Sequence, residues 1–275
     1  MRAKYVLTRR HALASAIALG TAGATANRVR AQAPAEPDPW PSLAAQIFNR
    51  RPIEAGSHRL DIDAPYRAED AAVVPLTVRL LGDPGGENPV RRITLVIDRN
   101  PSPLAASFTL GAKGAIRSLS SRVRVDSYTN IHAVAETADG RLHAAERFVK
   151  AAGGCSAPAA KVDADAIPLG TMRLRQFSPA RGSDRREAAL MIRHPNYSGM
   201  QMDQVTRLYV PAFFVASVEI WQGDDPLLAI ESGISISENP EFRFDFQPNG
   251  ADAFRAVVKD SQGHTFEKTW PAAPA

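Results

Sequence analysis

The 275-residue chain holds one cysteine, five methionines and few aromatic residues, 7% in all. With a single thiol, Cys155, the fates open to it are those of an odd cysteine in an exported chain: an exposed, chemically used group, an inert thiol or an intermolecular disulfide. Five histidines, His58, His132, His143, His194 and His264, follow the first 33 residues without an i, i+4 helical pair or a Cys/His spacing, so no metal site is expected. His194, in Arg193-His194-Pro195-Asn196, is read as a structural or domain-contact residue. The sequon Asn196-Tyr197-Ser198 is incidental behind a bacterial-style leader. The glycine-rich Gly82-Asp-Pro-Gly-Gly-Glu-Asn-Pro89 lacks Gly-Lys-Ser/Thr and leads into a strand, so it is a loop rather than a phosphate cradle. No run after residue 33 is long and apolar enough for a transmembrane span.

A basic surface is missing as well. Residues 1–33 read as a cleaved export signal: a positive start, Thr8-Arg9-Arg10-His11-Ala12-Leu13 resembling a twin-arginine motif, an apolar run from Ala12 to Ala26, and the small-x-small site Ala31-Gln32-Ala33. Removing the six basic side chains of that leader from the 33 in the chain leaves 27 against 29 acidic ones. The mature chain is therefore slightly acidic, and nucleic-acid binding loses its electrostatic support. A periplasmic location is expected.

What is present is β pattern. After a Pro-rich lead-in, Trp40 to Phe48 has helical spacing, with Ser42 as a candidate N-cap. Strands are expected at Leu60–Asp63, Ala72–Leu81, Arg92–Asp98, Ala106–Leu110, Ile116–Ser120, Arg122–Asp126 and in a hairpin about Asp139-Gly140, a pair that favours a type I′ turn. A second set runs through 171–177, 188–193, 216–222, 227–231, 241–246, 254–259 and 264–270, with Gly223–Pro226 and Asp260–Gly263 as hairpin connections. Phe242, Phe244 and Phe246 share one strand face and are read as core. The expected fold class is all-β, two β-sandwich domains in tandem. The first covers 34–150 and the second 168–275.

Between them, residues 151–167 form a linker bearing Cys155. Gly153 and Gly154 precede the thiol and Ser156-Ala-Pro-Ala-Ala160 follows it, with nothing large enough to bury it and no regular period, so an exposed thiol on a flexible hinge is expected. A coil of this length spans roughly 20–25 Å. Lys150 and Lys161 are the nearest cations in sequence, at an uncertain distance, so an unperturbed, weakly ionised thiol is the expectation. No base is placed by sequence to complete a nucleophile arrangement.

Two groups of residues carry a family resemblance. Ile62-Asp-Ala-Pro-Tyr-Arg-Ala-Glu-Asp70-Ala-Ala-Val-Val-Pro75 and the glycine-flanked cysteine resemble SoxY. Ile192-Arg-His-Pro195, Ser198-Gly199, Val210-Pro-Ala-Phe-Phe214 and Ser237-Glu-Asn-Pro-Glu-Phe-Arg-Phe244 resemble SoxZ. The pair are subunits of the sulfur carrier of bacterial thiosulfate oxidation, and the fused arrangement resembles SoxYZ-like carriers associated with quinoprotein dehydrogenases. The resemblance implies immunoglobulin-like sandwiches packed in cis, no enzyme activity, no cofactor, Cys155 as covalent attachment point for a sulfur-containing cargo, and Gly153 and Gly154 as the hinge. Partners would be periplasmic redox enzymes, either sulfur-oxidising enzymes or a quinoprotein dehydrogenase. Ser156-Ala157-Pro158 stands where the family has further glycines, and the motif lies between domains rather than at a free C-terminal tail. Two readings of other classes remain beside this one: a noncatalytic binding or adaptor module in which Cys155 carries nothing, and an autonomous thiol enzyme.

Overall fold

The computed structural model describes residues 37–84, 86–158, 167–179 and 181–273. The leader with its cleavage site, and linker residues 159–166 with Lys161, lie outside the described residues. Among the described residues, one short helix, α1 (Trp40–Ile47), precedes fifteen strands. In the first half these are β1 (Ile53–Ala55), β2 (Leu60–Asp63), β3 (Val74–Leu80), β4 (Val90–Ile97), β5 (Leu104–Leu110), β6 (Ser118–Val123), β7 (Thr129–Thr137) and β8 (Leu142–Val149). The second half supplies β9 (Met172–Phe177), β10 (Arg186–Ile192), β11 (Val215–Gln222), β12 (Asp225–Ser232), β13 (Glu241–Phe246), β14 (Ala253–Asp260) and β15 (Thr265–Pro271).

Alternation makes the strands. In β13 the three phenylalanines point inward and are each 1% exposed, with Arg243 between two of them facing out. β2, β6 and β14 follow the same period of two. β7 is buried along nearly its whole length because α1 covers its outer face, where Trp40, Ala44 and Ile47 pack on Phe48, Val134 and Leu142. The N-cap of α1 is Pro39, with Pro41 in the first turn; Ser42 lies inside the helix. Proline sets φ there and loses no helical hydrogen bond. The Asp139-Gly140 turn also differs from expectation. Gly140 alone adopts a positive φ, 84°, and its N–H donates to Thr137 O while Thr137 N–H donates to Arg141 O. That is a three-residue loop closed by glycine, since type I′ would need positive φ at Asp139 too.

The strands form two sheets, and each runs through both halves of the chain. The nine-stranded sheet has the order β1-β8-β7-β4-β5-β12-β11-β14-β15, the six-stranded sheet β2-β3-β6-β13-β10-β9. β5 and β12 pair antiparallel across the seam, from Ala106 opposite Ser232 to Leu110 opposite Leu228. β6 and β13 pair through Ser120 with Arg243 and Leu119 with Phe244. A single buried apolar cluster joins the halves, with Phe108 edge-on to Phe242 at 6.3 Å. Asp245 closes one end of the seam: one carboxylate oxygen accepts the N–H groups of Arg117 and Ser118, both at 2.7 Å, and the other accepts from the Arg185 guanidinium, which also donates to Ala115 O.

The seam tolerates no extra atom at Gly111. Its N–H donates to Leu227 O at 2.9 Å, and a Cβ would overlap the Pro226 carbonyl. Gly111→Ala is expected to destabilise the chain by about 2–4 kcal/mol, the cost of forced overpacking or backbone displacement. A urea-unfolding midpoint equal to wild type would show that the strands part freely there.

Candidate functional site: a cysteine clasped at the seam

Past β8 the chain does not become a free tether. Lys150 N–H donates to Tyr66 O at 2.7 Å and Ala68 N–H to Lys150 O, so the segment stays zipped to residues 66–68. The ammonium of Lys150 lies 4.8 Å from the centre of the Tyr66 ring. The backbone then turns at Gly153, with φ of 77°, a conformation that glycine adopts without penalty. Gly153 N–H donates to Asp126 O at 2.8 Å and Gly154 N–H to Val125 O at 3.0 Å. Gly154 is needed for a close approach: a Cβ would overlap Ala71 O and lie 2.7 Å from Val125 O. Both glycines are held in this conformation.

Cys155 is buried, with no exposed surface, which overturns the expectation of an exposed thiol on a flexible hinge. Its neighbours in sequence are indeed too small to cover it, and the cover comes from elsewhere in the fold. Its N–H points at Asp126 Oδ1, 3.3 Å away, and its carbonyl accepts a hydrogen bond from the Ser198 hydroxyl in the second half. Ser198 is itself buried and fixed, its N–H donating to Gln201 Oε1. The cysteine thus sits in a clasp built from both halves, 71 and 124–126 on one side and 198 on the other.

Electrostatics follow from this geometry. Burial pushes the Cys155 thiol up to about 12, helped by the Asp126 carboxylate and opposed by the Arg124 guanidinium. Among the described residues, Arg124 is the cation whose charge acts on the thiol, and sequence reasoning passed over it. It continues the β6 alternation on the face expected to be solvated, but the 234–237 loop folds over that face. Arg124 N–H donates to Ser235 O at 2.7 Å, and Nη1 donates to Ile236 O at 2.6 Å and, at 3.4 Å, to Ile234 O. Ile236 O also accepts from the Asn196 side chain at 3.1 Å, which ties the arginine to the stretch bearing Ser198.

His194 belongs to the neighbouring shell. Nδ1 accepts from Asn196 N–H at 3.1 Å, Nε2 is 3.7 Å from Asp260 Oδ2, and burial lowers its pKa despite Asp260. His264 donates to the same carboxylate at 2.7 Å. His132 lies between Asp98 and Glu146, at 3.0 and 2.9 Å, stacked 3.6 Å from Trp40, while His58 and His143 meet edge-on at 5.5 Å.

Comparison with known proteins places both halves. The family model "Sulfur oxidation protein SoxY" matches residues 44–155, ending on the clasped cysteine, and "Sulphur oxidation protein SoxZ" matches 174–271. The chain belongs to the SoxY and SoxZ families, fused in one polypeptide. SoxY and SoxZ are carrier or adaptor proteins with immunoglobulin-like folds, so the fused chain is a sulfur-oxidation carrier of that type. Among solved structures, the sulfur carrier protein SoxY from Chlorobium limicola f thiosulfatophilum is 30% identical over 41% of this chain and 91% of that one, with a TM-score of 0.35. The superoxide reductase (neelaredoxin) from Ignicoccus hospitalis is 15% identical over 34% of this chain and 80% of its own, with a TM-score of 0.31, and gives no guide to chemistry here. No curated protein matches the chain significantly. In SoxY–SoxZ terms, Cys155 closes the SoxY domain and Ser198 of the SoxZ domain holds it.

The clasp sets thiol reactivity. Because the folded value lies above the ordinary 9.0, the docked state is fully favoured below about pH 9 and loses that preference as pH rises toward 12. Gly154→Ala is expected to undock the segment without unfolding the sheets. Its reaction with a thiol reagent near pH 8 should be at least about tenfold faster than wild type, as thiolate fraction and access both rise. Equal rates, with unchanged circular dichroism, would mean that the contact at Ala71 does not control access.

Proposed function

We propose that the fused chain carries a small sulfur-containing group covalently on Cys155, keeps it within the seam, and presents it to periplasmic redox enzymes when the 151–155 segment undocks at Gly153 and Gly154. The observation that carries this reading is the coincidence of the last residue matched by SoxY with a thiol clasped by both domains. A carrier needs a thiol that is stable between encounters, and a group held up to about 12 is a poor nucleophile while docked. The same fact speaks against an autonomous thiol enzyme. Joining the thiol to a terminal sulfur of an anionic sulfur compound forms an S–S bond and releases one proton and two electrons. The electrons would pass to the partner redox enzyme, which is why loading belongs to a second protein.

Complete burial favours a second reading, in which the chain is a noncatalytic adaptor for a periplasmic quinoprotein dehydrogenase and Cys155 is an inert core residue. Burial alone gives a free cysteine that role often. The two readings separate on intact mass, without reductant, of the mature protein isolated from its host with the pathway active, followed by peptide mapping of Cys155. Carriage is expected to give a reducible adduct of added sulfur on that residue and to fail in Cys155→Ser. An unmodified thiol, with full function in Cys155→Ser, would replace carriage by the adaptor.

A further inference from the structure

The residue in the seam whose chemistry exceeds its structural task is Arg124. A guanidinium is among the most costly groups to bury, and this one is 1% exposed. Two backbone carbonyls, of Ile234 and Ile236, accept from Nη1, but Nε is buried without a partner. Its charge acts on Cys155 and on Glu238, and Asp126 is the second charged group acting on the thiol. Backbone geometry binds the two residues together: Gly154 and Gly153 hydrogen-bond to Val125 and Asp126, immediately after Arg124, and Asn196 and Ser198 connect Ile236 with the Cys155 carbonyl. With Cys155 protonated, the site holds the Arg124 guanidinium with its spare Nε–H donor, the Asp126 carboxylate on the other side of the cysteine, and a neutral sulfur.

We propose that Arg124 is the specificity residue of the carrier site, supplying the counter-charge and spare donor for an anionic, oxidised sulfur group attached to Cys155. This rests on covalent carriage at Cys155. An S-thiosulfonate or sulfonate-type adduct brings the negative charge that the bare thiol lacks, and charge-assisted hydrogen bonds from a buried guanidinium hold such oxyanions well. A neutral adduct of similar reach leaves Arg124 as it was and adds only bulk. The docked state would therefore retain anionic cargo and give up neutral cargo, so the site sorts groups by charge before any partner is met.

The test compares two adducts on the whole mature chain. Tetrathionate converts the Cys155 thiolate to the S-thiosulfonate with release of thiosulfate, and methyl methanethiosulfonate converts it to the neutral methyl disulfide with release of methanesulfinate. Cleavage of each by a phosphine is followed by intact mass, folded and in denaturant, and the ratio of the two rates gives a protection factor free of intrinsic reactivity. In wild type the anionic adduct should be protected about tenfold or more beyond the neutral one, the factor one charge-assisted hydrogen bond commands. Arg124→Gln should remove the difference between the two adducts, whatever it does to the protection they share, and Arg124→Lys should keep part of it. Equal protection of both adducts in wild type overturns the proposal without any variant, as does a difference that survives Arg124→Gln. Either result leaves carriage standing, whereas a host protein without any adduct removes carriage and not the measured charge preference.

Discussion

Everything at the functional site depends on the pairing of β5 with β12 and of β6 with β13. These ladders turn two immunoglobulin-like halves into parts of the same two sheets, and backbone pairing fixes register far more tightly than side-chain packing between separate domains would. Because β6 is locked to β13, the chain leaving β6 at Arg124 meets the loop that enters β13, and Arg124 N–H reaches Ser235 O. The 66–71 segment and Ser198 are then both brought against the stretch 150–155. Cys155 reaches them because β8 ends beside Tyr66 and the two glycines let the backbone turn and approach Ala71. A thiol from one family domain and its cover from the other become a single site through sheet continuity.

Most strands were legible in the sequence because their alternation is strong and turn residues separate them, but the two expected at Ile116–Ser120 and Arg122–Asp126 are one, β6, unbroken through Ser120, Ser121 and Arg122. The buried face of β13 follows from three phenylalanines spaced by two, and the hairpins at 223–226 and 260–263 from their Gly and Asp residues. What was not legible is anything that depends on where the outer face of one element is covered by another. The exposed-thiol reading failed for this reason. It judged Cys155 by Gly153, Gly154, Ser156 and Ala157, while the groups that dock its segment belong to residues 71, 125, 126 and 198. Arg124 was lost in the same way, since a charged residue on the outward parity of a strand reads as solvated until a loop closes over it. β1 was missed because three residues, Ile53–Ala55, are too few to show a period, and it exists only by parallel pairing with β8.

Two of the sequence motifs that carried the family resemblance acquire physical reasons. Ala71 follows the Ala-Glu-Asp segment, and its carbonyl accepts Val125 N–H while setting the limit on side-chain size at residue 154. Ser198 and Gly199 stand in the second motif. Ser198 places its hydroxyl on the cysteine carbonyl, and Gly199, with φ of 85°, turns the chain beside Ala212 so that Ser198 can face inward. The motifs of the two families are complementary halves of one clasp.

The size of that clasp decides how the site can work. Direct contacts on the docked segment amount to the backbone bonds of Gly153 and Gly154, the Cys155 N–H to Asp126, and the Ser198 hydroxyl, each worth about 1 kcal/mol net once competing water is counted. Undocking therefore costs a few such bonds plus the burial of two small side chains, Ala151 and Cys155, far less than opening either sheet, and belongs to the low-energy local motions of a folded protein. A gap of that order leaves the open form as a minor population, about 0.1–10%. The open form also has a constrained shape. β8 anchors the segment at Val149 and β9 takes up the chain again at Met172, so the thiol emerges at the tip of a two-ended loop. On the proposed carriage, a partner would have to admit both limbs, which calls for an open groove rather than a deep narrow channel and separates this fused arrangement from a carrier whose cysteine rides a free terminus.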